Sequence, residues 1–136
     1  MNTYIWLTIS ATLLGPILAV QAQKFVELSR ERRFRKVRVF ETLMATRAAR
    51  LSADHVQALN MIDLVFFGGR VLGISRRRKS EQAVLDAWLE YRDPLGNEFD
   101  ENTFSVWDAK GDELFVNLLL AISLDVRFVF DRVQLK

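Results

Sequence analysis

Apolar and polar positions change pattern at a few sharp places along this chain. Thr3 to Ala22 (TYIWLTISATLLGPILAVQA) is uncharged and mostly apolar. As a helix, a run of this length spans about 30 Å, the thickness of a bilayer core. Tyr4 and Trp6 stand near its start, where amphipathic rings favour the headgroup level, and Pro16 is tolerable within a membrane helix. From Gln23 to Leu51 the chain has no Gly or Pro, and Val37, Phe40, Met44, Ala48 and Leu51 recur at helical spacing. This predicts a long helix running on from the span, with one apolar stripe to pack on a domain or on a second copy.

The remaining pattern is that of short helices. Ser52 is placed to cap a helix over 53–67, with Asp54 in its first turn and apolar residues on more than one side, ended by Gly68-Gly69. Residues 70–79 (RVLGISRRRK) read as irregular and basic. Ser80 is placed to cap a third helix with Ala83, Val84, Ala87, Trp88 and Tyr91 as its core stripe, ending before Pro94. Residues 93–102 form an acidic loop. Thr103 is placed to cap a fourth helical region, with a break near Gly111, before Leu114, Phe115, Leu118, Leu119 and Ile122 share one face. Val126 to Phe130 alternates apolar and charged residues for a few positions and suggests a short strand or extended arm. The expected fold is mainly α: an anchor at 1–23, a basic juxtamembrane helix at 24–51, and a small helical domain at 52–136.

Charge sharpens this picture. Net charge is +2, but residues 24–50 hold nine Lys/Arg against three Glu, and residues 51–136 hold ten Lys/Arg against fourteen Asp/Glu. Lys24, Arg30, Arg32, Arg33, Arg35, Lys36 and Arg38 follow the apolar run directly. The positive-inside rule then puts the N-terminus outside and the domain in the cytoplasm, as a single-pass protein of an inner membrane. These residues are the expected contacts with anionic headgroups. Phosphate of a nucleic acid would attract the same block, but a membrane flank needs these charges in any case, and no nucleic-acid partner is expected. A cleaved signal peptide is the rival reading, with Val20-Gln21-Ala22 as a passable cleavage site. The run lacks a positive leading segment, which opposes that reading. Ala11, Gly15 and Ala19, four residues apart, form a small-residue face suited to close approach of two membrane helices.

Nothing in the sequence supplies a reaction centre. There is no cysteine and one histidine, His55, which excludes disulfides, thiolate chemistry and a His/Cys zinc site. Ser52, Asp54 and His55 lie too close in sequence to act as nucleophile, orienter and base, so His55 is expected to hydrogen-bond locally or across a helix pair. DPLGNEFDEN lacks the spacing of a calcium loop, and Gly68, Gly69 and Gly73 match neither a dinucleotide nor a phosphate loop. Arg47 and Asn60 stand among apolar neighbours, as packing or partner-contact residues. Trp88, Tyr91 and Trp107 are the expected core or interface anchors. No cofactor, metal or catalytic residue is expected.

The segment from Ala45 to Phe66, with ATR, LS, HVQALNMI and a closing aromatic, together with Ala87-Trp88, Tyr91, Leu118-Leu119 and Phe130-Asp131, resembles an uncharacterised bacterial family of short proteins. Its members usually carry an N-terminal membrane span. The resemblance covers most of the chain after the apolar run and implies this architecture, with no assigned activity and no catalytic residues to carry over. The expected role is a non-enzymatic, membrane-anchored interaction or adaptor protein with a protein partner or a second copy. The alternative is an oligomerising effector that perturbs the membrane.

Overall fold

Five helices and one short hairpin make up the described part of the chain, residues 2–71, 74–95, 104–128 and 132–135 of a computed structural model. The chain divides into two units, Met1–Phe34 and Arg35–Lys136.

Most of α1 (Asn2–Ala45) forms the first unit. Among the described residues it is the one helix long and apolar enough to cross a membrane. Every side chain described from Thr3 to Phe34 is exposed. The hydroxyls of Thr8, Ser10 and Thr12 donate to the carbonyls of Tyr4, Leu7 and Thr8 at 2.7, 3.0 and 2.7 Å. These polar groups of the apolar run are thus satisfied within the helix itself, as a helix in lipid requires.

The second unit begins at Arg35, so the last part of α1 belongs to the helical domain. Val39, Phe40 and Leu43 enter its core, and Val37 and Met44 pack against it. The helix stops at Ala45 rather than running to Leu51. Ala49 N–H bonds the Thr46 carbonyl, and Ser52 N–H bonds the Ala49 carbonyl. These tight turns leave Ala48 and Leu51 of the expected stripe exposed.

Ser52 caps α2 (Ala53–Val65), its side chain accepting from the His55 N–H at 3.3 Å. Phe66 closes α2 and is itself fully buried. Where composition suggested irregular chain, two short strands form: β1 (Gly69–Val71) pairs antiparallel with β2 (Ile74–Arg76), Gly69 opposite Arg76. The turn into the hairpin needs Gly68, whose φ is +106° and where an added Cβ would lie 3.1 Å from both the Arg76 carbonyl oxygen and Arg77 Cα.

α3 (Lys79–Leu95) starts one residue before Ser80, and the capping differs from expectation. Glu81, not Ser80, receives the Arg78 N–H, at 2.8 Å. Pro94 sits in the last turn of α3 instead of beyond it, and its carbonyl, an orphan of the helix end, accepts the Trp107 indole N–H at 3.0 Å. α4 (Phe104–Val126) passes through Gly111 without a break. Burial of Phe115, Leu118, Leu119 and Ile122 outweighs the roughly 1 kcal/mol that a helical Gly costs. The helix ends at Arg127, with φ 62°, where Phe128 N–H reaches back to the Ser123 carbonyl at 2.8 Å. A strand therefore does not begin at Val126, while Val129, Phe130 and Asp131 lie outside the described residues, as do Thr103 and most of the acidic loop. Leu135 of α5 (Arg132–Leu135) returns to the core.

Candidate functional site

Helices α2, α3 and α4 and the 46–52 turn enclose a groove of about 680 Å³. α3 supplies Trp88, Tyr91 and Arg92; α4 supplies Phe104, Trp107, Asp108 and Gly111; α2 supplies Val56, Leu59, Asn60 and Asp63. All three aromatic residues singled out in the sequence line it. They come together because Trp88 and Tyr91, three positions apart, share a face of α3, while Phe104 and Trp107 repeat that spacing on α4.

Each ring is held. Trp88 Nε1 donates to Asp63 Oδ2 at 3.2 Å, and the Arg92 guanidinium lies 5.7 Å from the Trp88 ring. Arg92 Nη1 also stands 3.7 Å from Asp63 Oδ2. Phe104 stacks on Trp107 at 6.0 Å, and Tyr91 tilts against the buried Phe115 at 5.5 Å. Burial pushes the Tyr91 phenol above its ordinary value; Arg50 works against this and Asp112 adds to it. An added Cβ at Gly111 meets nothing within 4 Å, so the wall contributed by α4 is open at that point. Trp88 and Tyr91 are buried and form the floor of the groove, while the exposed Phe104 and the half-buried Trp107 supply its open aromatic surface.

Arg50 links the groove to the interior. It pairs with Asp112, and its guanidinium lies 5.0 Å from the Phe115 ring. His55, fully buried, also packs on Phe115, with ring centroids 5.3 Å apart. Thr46 Oγ1 gives its proton to the Thr42 carbonyl at 2.7 Å, so in its 2.8 Å contact with His55 Nδ1 it accepts. This assigns the Nδ1–H tautomer and leaves Nε2 a lone-pair acceptor, buried without a partner among the described residues. Desolvation, then the Arg50 charge, hold the His55 pKa below its ordinary value. This histidine bonds locally, as the sequence led one to expect, and is in addition a core group.

The basic residues separate into two classes. Lys24, Arg30, Arg32, Arg33, Arg35 and Arg38 are exposed. Lys36, expected at the membrane surface, is instead buried: its Nζ lies 2.7 Å from both Glu81 Oε1 and Asp125 Oδ2, and 5.1 Å from the Phe66 ring centroid. Ser80 Oγ donates to the other Asp125 oxygen at 2.5 Å. The position of Lys36 on α1, on the same side as Val39, Phe40 and Leu43, turns the ammonium inward. Of the other polar residues, Arg47 donates to the Gln134 carbonyl at 3.1 Å, and Asn60 lines the groove. Ala11, Gly15 and Ala19 lie on α1, and an added Cβ at Gly15 meets nothing within 4 Å.

With this geometry in place, the comparison with known proteins is brief. Residues 1–136 match a family of unknown function, DUF6680. The chain belongs to that family. Neither a curated protein nor a solved structure matches it. Membership in DUF6680 agrees with the uncharacterised family inferred from the sequence and carries no activity with it.

Proposed function

We propose that the protein is a non-enzymatic, membrane-anchored interaction protein whose helical domain holds a partner in the aromatic groove. The observation that carries this reading is an open groove of about 680 Å³, floored by the buried Trp88 and Tyr91 and walled by the more exposed Phe104 and Trp107. Rings fixed by hydrogen bonds and stacking lose little freedom when they bind, which is what makes aromatic residues effective anchors. The N-terminal apolar helix holds the protein in an inner membrane, its N-terminus outside and its domain in the cytoplasm. Lys24, Arg30, Arg32, Arg33, Arg35 and Arg38 lie at anionic headgroups on that side.

The test is photocrosslinking in native membranes, with a photoreactive residue at Phe104 of the full-length chain. The reading predicts one discrete adduct, absent when Gly111→Leu fills the groove. No adduct, or one indifferent to Gly111→Leu, contradicts it. An adduct with the mass of two copies shifts the reading to self-association, where the Ala11/Gly15/Ala19 face and the effector alternative take precedence.

A further inference from the structure

The hairpin and the start of α3 carry a concentration of positive charge that the groove does not use. Arg76, Arg77, Arg78 and Lys79 are consecutive and all exposed. They contrast with the rest of residues 51–136, where acids dominate. Arg77 is tied into the fold. Its Nε donates to the Phe67 carbonyl at 3.1 Å, its Nη1 donates to Gln82 Oε1 at 2.7 Å, and its guanidinium lies 5.0 Å from the Phe67 ring. Arg76, Arg78 and Lys79 have no side-chain partner among the described residues. Lone surface cations are ordinary, but three beside an aromatic ring that is itself 58% exposed are not. Phe67 is held there by the left-handed Gly68 and by Arg77, so its exposure is built into the fold.

We propose that Arg76, Arg78, Lys79 and Phe67 form a contact surface for an anionic membrane, distinct from the juxtamembrane helix. Cations lie among acidic headgroups while the ring enters the interface between headgroup and acyl chain. Phosphate of a nucleic acid would meet the same cations. Two arguments favour lipid. One exposed ring beside the cluster is too little for a stacking platform, which needs successive rings. The reading of α1 as an anchor, on which this inference rests, also keeps the domain at high effective concentration beside a bilayer. At that distance a weak surface is enough: each cation near an anionic leaflet contributes about fivefold to the contact equilibrium. The function of the contact is to hold the domain down on acidic lipid and release it elsewhere.

The chain has no cysteine, so Ala83→Cys, at an exposed position near the start of α3, gives one labelling point beside the cluster and leaves the Arg77–Gln82 bond in place. The full-length protein carrying an environment-sensitive dye there is reconstituted into neutral vesicles and into vesicles containing phosphatidylglycerol, each with a lipid-borne quencher. Flotation of the neutral vesicles first checks the anchor. The expected result is quenching in anionic vesicles alone, reversed by high salt. Arg76→Gln/Arg78→Gln/Lys79→Gln, which removes no side-chain bond of the fold, weakens the contact on the order of a hundredfold and abolishes the quenching. Protein that floats but quenches equally in both vesicles overturns the surface and leaves the anchor intact. Protein that fails to float overturns both. A dye response to added RNA that anionic vesicles do not produce overturns the lipid assignment in favour of nucleic acid.

Discussion

At the residue scale, the domain rests on two buried polar arrangements of opposite character. His55 is neutral in the folded protein, and charging it places an imidazolium beside Arg50 with Nε2 lacking an acceptor. Its folded pKa lies below 6.5, so below that pH the unfolded chain binds more protons than the folded one. The stability contribution is therefore complete above pH 6.5 and is lost as pH falls towards the folded value. His55 is the only histidine, so a decline that starts there, before the carboxylates titrate at about 4, belongs to it. Urea midpoints across this range are expected to fall in the wild type and to stay level in His55→Gln. Lys36 is the converse case, a charge that must stay. Lys36→Met leaves Glu81 and Asp125 buried against each other without their cation. The expected loss in equilibrium unfolding is about 3–5 kcal/mol, the cost of orphaning one side of a buried pair. A loss no larger than that of Arg38→Met, an exposed neighbour, would contradict the pairing. The Lys36 centre was not legible in the sequence, because Lys36 meets partners 45 and 89 positions away. Nothing local distinguishes it from Arg35 or Arg38 in a basic run.

At the element scale, local pattern carried further. The core stripe of α3 was legible at Val84, Trp88 and Tyr91, as was the Ser52 cap, because both depend on neighbours within a turn. The helix ends were less so. α1 stops at Ala45 where no Gly or Pro stands, through hydrogen bonds of Thr46 to Thr42 and His55. The hairpin escaped notice because three-residue strands are too short for alternation to register. Its geometry makes a firm prediction: Gly68→Ala forces a Cβ against Arg76 and Arg77 and strains a φ of +106°, costing about 1–3 kcal/mol in unfolding experiments. Arg127 is the opposite opportunity. It holds a left-handed φ of 62° at the end of α4, so Arg127→Gly is expected to raise stability by about 1 kcal/mol. An unchanged or lower midpoint would mean that α4 ends in another conformation. The groove was legible only as its parts. Trp88, Tyr91 and Trp107 stood out as anchors, but the participation of Gly111 depends on α4 continuing through it, where the sequence suggested a break.

At the scale of the whole molecule, charge and hydropathy divide the labour. An apolar helix whose hydroxyls bond to its own backbone precedes a domain with a buried ionic centre, an aromatic trough and a cluster of exposed cations. The proposed membrane-anchored role and the proposed second lipid contact both require residues 1–23 to stay in a bilayer. The most direct test is alkaline extraction of native membranes holding the full-length protein, followed by an intact mass of the recovered chain. Full-length protein in the membrane pellet is the predicted result. Release into the wash, or a chain beginning after Ala22, would make the run a peripheral or cleaved segment and contradict the membrane-anchored role.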